Sequence, residues 1–331
     1  MDKRSVLNNV KWGIIGVGDV CEVKSAPAMN LIEHSSIVAV MRRNKAKAED
    51  YARRHHVSFY TNDVDELLNH PEVNSIYIAT PPGSHAELAQ KVAEAGLPCY
   101  VEKPMARNFE ECKAMISVFK SADLPLFVAY YRRTLPNFVK IKELVDAGHI
   151  GDIRSVSIEM FKALDNDLIA NSDVNWRVDP KIAGGGYFHD LASHQLDFLD
   201  FLFGPVKAAN GYSSNQAGVY PADDIVTASF AFENGVMGNG IWCFNAAKNA
   251  EKEVTTIVGS KGKITYQSFG SSDVKIDIDS GPTQILKFEY PKHIQQYLIQ
   301  TVVDELRGVR TCPSTAESAA RTSRVMDWIV E

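Results

Sequence analysis

Residues 10–21 read VKWGIIGVGDVC, and this stretch decides the fold of the first part of the chain. The apolar run Val10–Ile15 is typical of a buried strand, and Gly16 and Gly18 follow as the first two glycines of a G-x-G-x-x-G/A motif. Gly16 permits a tight turn, and Gly18 lacks the Cβ that would keep the backbone away from a pyrophosphate at a helix N-terminus. The stretch therefore predicts a strand, a dinucleotide-binding turn and a helix.

The residues after Gly18 complete this turn. We expect Asp19 and Val20, which open the helix, to contact the dinucleotide as well. Cys21 stands where the motif has its third glycine or alanine, and it is small but not ideal for close helix–strand packing. An ordinary strand–helix turn is the alternative, because glycine-rich turns are common. The position at the start of a strand–helix series favours the ligand-binding interpretation.

Short apolar runs alternate with helical patterns through the first third of the chain. The predicted strands are residues 10–15, 37–41, 75–79, 99–101 and 126–129, and the predicted helices are residues 46–55, 63–69, 85–95 and 109–120. Capping boxes are expected at Ser84 and Asn108, each followed by a glutamate three residues later. Strands that alternate with helices predict a doubly wound parallel sheet, as in a Rossmann fold.

The pattern changes after residue 150. Alternating residues predict strands at 153–161, 225–232, 236–244, 253–258 and 263–266, with turns at Glu233–Gly235 and Ser260–Gly262. One long amphipathic helix is expected over residues 187–203, after the triplet Gly184–Gly186. Two C-terminal helices are expected over residues 293–307 and 314–330, the second with a capping box at Ser314.

These patterns predict two domains. We expect a Rossmann domain over residues 1–130 and an α+β substrate-binding and oligomerisation domain, with a large open and mainly antiparallel sheet, over residues 131–331. The C-terminal helices are expected to return to the first domain. A length of 331 residues suits two domains, and the 45% hydrophobic and 23% charged composition excludes collagen-like and disordered chains.

Charge and cysteine content narrow the partners and the compartment. A net charge of −6, from 35 basic and 41 acidic residues, argues against nucleic acid or an anionic membrane as the main partner. The five cysteines are scattered without a CxxC pair, which argues against a disulfide framework or a zinc knuckle. The polar first residues contain no signal-peptide core, and no apolar run is long enough to span a bilayer, so we expect a cytoplasmic protein.

The end of the second predicted strand bears on the choice of cofactor. Residues 38–44 read VAVMRRN, so Arg42 stands where an NAD enzyme usually places an acidic residue for the ribose 2′-hydroxyl. A guanidinium at Arg42 or Arg43 would bind a 2′-phosphate and stack on adenine, whereas a carboxylate would repel the phosphate. The alternative is a solvated loop. The sequence favours NADP(H), with NAD(H) as the second choice.

Three further stretches resemble the motifs of a known family. They are TPPGSH over residues 80–85, EKP over residues 102–104 and GGGYFHDLASHQLD over residues 184–197. With the glycine-rich turn, they are similar in order and spacing to the glucose–fructose oxidoreductase / inositol dehydrogenase (Gfo/Idh/MocA) family over nearly the whole chain. The resemblance implies a Rossmann domain plus a sheet domain, with a nicotinamide cofactor at the cleft. It also implies sugars, polyols or related alcohols and ketones as substrates.

The resemblance implies catalytic roles for Lys103, Asp190 and His194. It also places residues of the first two stretches beside the cofactor: Thr80, Pro81, His85, Glu102 and Lys103. For His85, a position that merely follows the Ser84 cap is the alternative to a place near the nicotinamide ribose. The sequence departs from the family pattern at Cys21, at Lys24 where histidine is common, and at Met41–Arg42, where an acidic ending is frequent. The last departure argues against strict NAD use.

The chemistry of these residue types agrees with the implied roles. Hydride transfer from an alcohol needs a proton acceptor and a group that stabilises the developing alkoxide. Lys103 follows a buried parallel strand and precedes Pro104, so we expect its ammonium to bind the reacting oxygen rather than to remain an ordinary surface lysine. We also expect this ammonium and the imidazole of His194 to meet over the nicotinamide ring.

Asp190 and His194 are four residues apart on a predicted helix, so they are expected to share a face. His194 is expected to act as the general acid or base, and Asp190 to set its tautomer and contact a substrate hydroxyl. A solvated Asp–His pair is the alternative. No further ligands lie at a convincing spacing, so we predict no catalytic metal.

Four other residues are candidates for substrate binding. Tyr131 and Arg133 follow the last predicted Rossmann strand, and Trp176 and Arg177 precede the glycine triplet. An aromatic ring and a guanidinium are suited to a sugar, although local packing is an equal alternative for each residue.

The sequence thus predicts an NAD(P)-dependent oxidoreductase that interconverts hydroxyl and carbonyl groups on a sugar, polyol or cyclic alcohol. An NAD-dependent glycosidase on the same scaffold and a non-catalytic dinucleotide-binding sensor are the alternatives. The family resemblance implies a homodimer or homotetramer formed through the open sheet of the second domain, and an uncovered sheet face is a liability unless it is paired.

Overall fold

The computed structural model describes residues 6–164 and 175–331, and these residues form two compact units. Unit 1 comprises the described residues up to Ala106, together with Glu110–Tyr131 and Pro291–Ala320. Unit 2 comprises Arg107–Phe109, the described part of Arg132–Tyr290, and Arg321–Glu331. Each unit is built around its own sheet.

Unit 1 contains a six-stranded sheet. Its strands are β1 (Val10–Ile15), β2 (Ser35–Met41), β3 (Phe59–Thr61), β4 (Ser75–Ile78), β5 (Cys99–Val101) and β6 (Leu126–Val128). All neighbouring strands are parallel, in the order β3-β2-β1-β4-β5-β6. This is the doubly wound order of a Rossmann fold, in which ligands bind outside the carboxyl ends of the strands where the order reverses. The predicted fold class of this part is confirmed.

Unit 2 contains an eight-stranded sheet in the order β14-β13-β12-β11-β7-β10-β9-β8. Its strands are β7 (Ile153–Phe161), β8 (Val206–Ser214), β9 (Ile225–Phe232), β10 (Met237–Cys243), β11 (Lys252–Gly259), β12 (Gly262–Tyr266), β13 (Val274–Ile278) and β14 (Gln284–Leu286). Among the described strands of this sheet, only β7 and β10 pair in parallel, so the predicted mainly antiparallel sheet is confirmed.

The α-helices of the described residues are α1 (Asp19–Val23), α2 (Ala26–Met29), α3 (Lys45–His55), α4 (Val64–Leu68), α5 (His85–Glu94), α6 (Phe109–Ser121), α7 (Pro136–Asp146), α8 (Pro180–Ala183), α9 (Ser193–Phe203), α10 (Gln296–Leu306) and α11 (Ala316–Val330). Short 3₁₀ turns occur at Pro82–Ser84, Tyr131–Thr134, Trp176–Val178 and Lys248–Ala250. In the described ranges, no helix combines the length and the apolar character needed to cross a membrane.

The prediction of one long amphipathic helix over residues 187–203 was wrong in two respects. Its first part, Phe188–Ala192, is a π-helix that runs directly into α9. All residues of α9 except Phe201 are buried, so the helix is not amphipathic. Two of its aromatic side chains pack against the sheet of unit 2: Phe198 is in edge contact with Tyr266 at 5.8 Å between ring centroids, and Phe203 with Phe232 at 5.3 Å. A helix buried on nearly all sides fits its position against the inner sheet face.

Two predicted caps were also wrong. The Ser84 hydroxyl donates to Thr80 Oγ1 at 2.8 Å and to the carbonyl of Pro81 at 3.0 Å, and it does not cap α5. The Ser314 hydroxyl donates to the carbonyl of Val128 at 2.7 Å, and the Thr315 hydroxyl accepts from the N–H of Ser318 instead. In both cases the serine hydroxyl donates to an acceptor outside the helix that it was predicted to cap. The capping-box pattern does not show such a competing acceptor.

Candidate active site

The glycine-rich turn lies at the carboxyl end of β1. Gly16 adopts a φ of +94°, and a Cβ at this position would come within 2.5 Å of the Thr80 side chain. Both facts require glycine. The N–H groups of Gly16 and Val17 donate to the carbonyl of Met41 at 2.9 and 3.3 Å, which fastens the turn to the end of β2. The ends of β1, β2 and β4 therefore meet at this turn.

Gly18 provides the space that a bound phosphate needs. It precedes α1 in an extended conformation, with φ −140° and ψ −160°. A Cβ on Gly18 would have the carbonyl oxygen of Gly16, at 3.9 Å, as its nearest neighbour, so it would project into open space. The first N–H groups of a helix have no intrahelical acceptor, and here they belong to Asp19 and Val20. The residues of the turn thus fit the pyrophosphate of a dinucleotide.

Arg42 and Arg43 follow β2 directly, beside this turn. The N–H of Arg42 donates to the carbonyl of Thr61 at 3.1 Å, which continues the pairing of β2 with β3. Arg42 is half-buried and Arg43 is exposed. Among the residues that the structure describes, neither guanidinium has a hydrogen-bonding or ion-pairing partner. Two cations without a counter-charge are suited to bind a phosphate group.

His85 lies beneath the turn that follows β4. Its imidazole is fully buried, with Nδ1 at 3.2 Å from the carbonyl oxygen of Met105 and Nε2 at 2.7 Å from that of Thr80. Burial lowers the pKa of His85, which favours the neutral ring. A neutral imidazole donates from one nitrogen only, so the ring donates to one of these two carbonyls and packs against the other. His85 thus lies between the loop at Thr80 and the segment at Met105. A contact between His85 and the cofactor stays a prediction.

Glu102 and Lys103 follow β5. The Glu102 carboxylate is buried, and its Oε1 accepts from the Tyr77 hydroxyl at 2.5 Å and from Gln295 Nε2 at 2.6 Å. Gln295 in turn accepts from the hydroxyl of Tyr100 at 2.8 Å. These bonds hold the end of β5, and with it the half-buried Lys103, whose N–H lies 3.3 Å from Glu102 Oε2.

Gln295 is a functional neighbour that the sequence analysis did not identify. It lies just before α10, almost two hundred positions from Glu102 in the sequence, and it is fully buried. Its amide satisfies two side chains at once, which matches the requirement that buried polar groups be hydrogen-bonded. No local pattern marks it, because a lone glutamine before a helix is an ordinary residue.

In unit 2, the motif stretch of residues 184–197 contains the π-helix Phe188–Ala192 and the first residues of α9. His194 is buried and Asp190 is half-buried. Because Asp190 lies in the π-helix, the rule that residues four apart share a face, which holds for α-helical geometry, does not describe this pair. The neighbouring His189 is buried with Nδ1 at 3.1 Å from the carbonyl of Gly185, and burial lowers its pKa to about 4.

Asp190 pairs with an arginine from the loop that carries the predicted substrate residues. Arg177 Nε lies 3.2 Å from Asp190 Oδ2, with side-chain exposures of 31% and 13%. The Arg177 guanidinium also lies over the ring of Trp176, at 4.5 Å from its centroid. The three side chains form one cluster next to the π-helix, with an aromatic face and hydrogen-bonding groups that water reaches.

Two arginines hold α9 through ion pairs, of which the pair of Arg133 is buried and that of Arg321 is partly exposed. Arg133 donates from Nε to Asp197 Oδ2 at 2.9 Å and from Nη2 to Asp197 Oδ1 at 2.6 Å, and both side chains are 1% exposed. Arg321 makes a similar two-point contact with Asp200. These contacts give Arg133 a structural role, and its predicted contact with substrate stays a prediction. Tyr131 is buried at the start of its 3₁₀ turn.

Within residues 6–164 and 175–331, no cluster of three or more histidine, cysteine, aspartate or glutamate side chains is arranged to hold a metal ion. All five cysteines are buried thiols.

A doubly wound sheet with a glycine turn at its switch point defines a dinucleotide-binding protein, and comparisons with known proteins identify the family. Residues 10–130 match the oxidoreductase family with an NAD-binding Rossmann fold, and residues 138–265 match the GFO/IDH/MocA C-terminal domain. The chain belongs to the GFO/IDH/MocA family, which confirms the resemblance seen in the motifs. It is an NAD(P)-dependent oxidoreductase.

Relatives and solved structures agree with this assignment. Oxidoreductase P35 of Formosa agariphila is 39% identical over 320 residues, which cover 97% of this chain and 98% of that protein. Levoglucosan dehydrogenase of Pseudarthrobacter phenanthrenivorans is 28% identical over 295 residues, covering 78% and 74% of the two chains. A structure of levoglucosan dehydrogenase in complex with NADH and levoglucosan has a TM-score of 0.86 at 24% identity, over 97% of this chain and 96% of that one. The structural likeness confirms the fold.

Proposed function

We propose that this oxidoreductase prefers NADP(H) and interconverts a hydroxyl and a carbonyl group on a neutral sugar or cyclic polyol. The observation that carries the cofactor preference is the pair of guanidinium groups at Arg42 and Arg43. Residues 42–47 read RRNKAK and contain no carboxylate. A 2′-phosphate would therefore meet positive charge without a competing acidic side chain.

The cofactor would be held by the residues at the carboxyl ends of β1, β2, β4 and β5. The turn at Gly16–Gly18 with Asp19 and Val20 would take the pyrophosphate, and Thr80, Pro81 and Lys103 would lie toward the nicotinamide. Glu102 and His85 would hold these segments in place. When bound, the nicotinamide would accept or supply the hydride.

We assign the proton and charge chemistry to three side chains. An imidazole nitrogen of His194 takes the proton of the substrate hydroxyl, and returns it in the reverse direction. The Lys103 ammonium donates a hydrogen bond to the same oxygen and stabilises its developing negative charge. Asp190, oriented by Arg177, contacts a substrate hydroxyl.

The charge of the cluster beside Asp190 supports a neutral substrate. Arg177 is neutralised by Asp190, so this part of unit 2 offers hydrogen bonds and the ring of Trp176 rather than a net positive charge. Aromatic faces with a few placed polar groups suit sugars and polyols. Levoglucosan dehydrogenase, a relative over most of the chain, is named for such a compound.

Cofactor preference is tested by titrating NADPH and NADH against the protein and following nicotinamide fluorescence. We expect tighter binding of NADPH, and about a tenfold loss of NADPH affinity in Arg42→Ala, because one charge-assisted hydrogen bond contributes about 1.5 kcal/mol or more. The affinity for NADH should fall less, because NADH lacks the 2′-phosphate and would lose only the stacking on adenine. Arg53→Ala, which removes an exposed arginine on α3, is the matched control. Equal or tighter binding of NADH to the natural chain would contradict the preference.

Substrate class is tested with levoglucosan and a panel of sugars and cyclic polyols in the presence of NADP⁺ or NAD⁺. The proposal expects net formation of reduced cofactor with at least one of them. A chromogenic glycoside in the same assay separates the alternatives. Release of the aglycone without net reduction would indicate a glycosidase, and no change with any compound would indicate a sensor.

We also propose that the outer face of the unit 2 sheet forms a homodimer or homotetramer. Tyr212, Thr227, Ile241, Glu159 and Val254 lie in register across five neighbouring strands. None of the five is buried, and Tyr212 is 84% exposed. A mixed apolar row of this kind favours a partner surface. Sedimentation analysis should show an oligomer that Tyr212→Arg weakens, and a monomeric natural chain would contradict the proposal.

A further inference from the structure

The loop between β12 and β13 in unit 2 is held by four hydrogen bonds to its backbone. It carries Ser268 and Phe269. The Glu253 carboxylate accepts from the N–H of Ser268 at 2.8 Å and from the N–H of Phe269 at 3.1 Å. From the other side, Arg132 donates to the carbonyl of Ser268, from Nε at 2.9 Å and from Nη2 at 2.7 Å.

Glu253 also holds α9. Its Oε1 accepts from Gln195 Nε2 at 2.9 Å, and Gln195 Oε1 accepts from the indole N–H of Trp242 at 2.7 Å. Gln195 is the residue directly after His194. One buried carboxylate thus fixes the loop and the helix segment that carries the imidazole.

Phe269 is the part of the loop that reaches His194. The two rings are in edge contact, with centroids 5.7 Å apart and planes at 71°. The guanidinium of Arg132 lies over the same phenyl ring, at 4.3 Å from its centroid. The phenyl ring therefore contacts both the hydrogen-bonded guanidinium and the imidazole, and an aromatic edge contact favours a restricted range of ring orientations.

We propose that Phe269, held by Glu253 and Arg132, is a positioning residue that sets the orientation of the His194 imidazole. This inference rests on the proposed role of His194 in proton transfer. Phe269 takes no part in the chemistry, but a misplaced imidazole would slow proton transfer without changing how the cofactor binds.

The chemistry of Glu253 makes Glu253→Gln the most informative substitution. The carboxylate accepts from three donors, namely two backbone N–H groups and the amide of Gln195. A glutamine at this position offers one acceptor oxygen and one NH₂ group, so a donor would face a donor. The loop should move although Phe269 and His194 are both still present. Glu233→Gln, at an exposed glutamate in the turn between β9 and β10, is the matched control.

The first readout needs no substrate. In the full chain with isotope-labelled histidine, the imidazole resonance of His194 is assigned by its loss in His194→Asn. We expect Glu253→Gln to shift and broaden this resonance, while Glu233→Gln leaves it unchanged. An unchanged His194 resonance in folded Glu253→Gln would overturn the inference, even if the proposed reaction itself were absent.

The second readout covers the case in which Glu253→Gln does not fold. Phe269 is partly exposed, so Phe269→Leu should fold. We expect kcat to fall about tenfold with KM and NADPH affinity unchanged, and Phe269→Tyr to restore kcat. Phe201→Leu, which removes a partly exposed ring of α9 that lies beneath Lys142, should keep normal kcat. A Phe269→Leu protein with normal kcat, or one with altered KM alone, would overturn the inference.

Discussion

Asp190 and Asp197 belong to the same signature stretch, and each faces an arginine, but their surroundings differ. The side chains of Asp197 and Arg133 are each 1% exposed, whereas Asp190 and Arg177 are 13% and 31% exposed. The buried pair uses both carboxylate oxygens, and the other pair makes one longer contact. The comparison teaches that residues of one motif can differ in burial and in pairing. These two properties are the reason that we propose a chemical role for Asp190 and a structural role for Asp197.

The largest effect should follow removal of the buried carboxylate. Asp197→Ala leaves the Arg133 guanidinium buried without its partner, so we expect a loss of about 3–5 kcal/mol in the free energy of unfolding, measured by urea titration. Asp146→Ala breaks an exposed pair with Lys142 and should cost at most about 1 kcal/mol. Equal losses in the two variants would remove the distinction between buried and exposed pairs.

Burial of the His189 imidazole should make the stability of the protein depend on pH. Burial lowers the folded-state pKa of this imidazole to about 4, against an ordinary value of 6.5 in the unfolded chain. Between these values the unfolded chain binds a proton that the folded chain does not, so stability falls as the pH falls through this window. The difference amounts to about 3 kcal/mol by linkage.

The measurement compares urea unfolding of the natural chain and His189→Gln between pH 7 and pH 4. We expect the substitution to reduce the loss of stability over this range. His149→Gln, at an exposed histidine, should not. A natural chain and His189→Gln with parallel pH profiles would show that burial of this imidazole does not govern acid stability.

Substitution of Asp190, the more exposed of the two carboxylates, should change the free energy of unfolding little but lower the catalytic rate clearly. Asp190→Asn should lower kcat by about a hundredfold, because the carboxylate no longer orients the substrate and its neighbours. The free energy of unfolding should change by less than about 1 kcal/mol, as for other partly exposed pairs. Steady-state kinetics and urea unfolding of the same preparation check both parts, with Asp146→Asn as control. Normal turnover would place Asp190 with Asp197 among the structural residues.

The fold was predictable where strands are buried. β1, β5, β7 and β9 occur at the predicted residues, because buried strands leave continuous or alternating apolar runs. The edge strand β8 (Val206–Ser214) was not predicted, since most of its residues are at least partly exposed and it contains Gly211. β3, β13 and β14 were missed for a similar reason: they lie at or next to the edges of their sheets and leave only short or mixed patterns.

The site was predictable only in part. Glycines, the arginines after β2 and the signature residues stand in local patterns, so sequence alone indicated them. The partners that hold them come from distant segments: Gln295 holds Glu102, Arg133 holds Asp197, and Glu253 holds the loop of Phe269. A single sequence does not show which buried polar residues meet in space. The π-helix at Phe188–Ala192 was also outside its reach, because an i→i+5 winding leaves no distinct residue pattern.

The central claim is that Lys103 and His194 perform the proton and charge chemistry of an alcohol oxidation. The most direct measurement is the rate of nicotinamide reduction by Lys103→Met and His194→Asn with a substrate of the natural chain, beside the NADPH dissociation constant of each variant. The account predicts that both rates fall by about a hundredfold or more while both variants still bind NADPH. Turnover at the natural rate in either variant would contradict it.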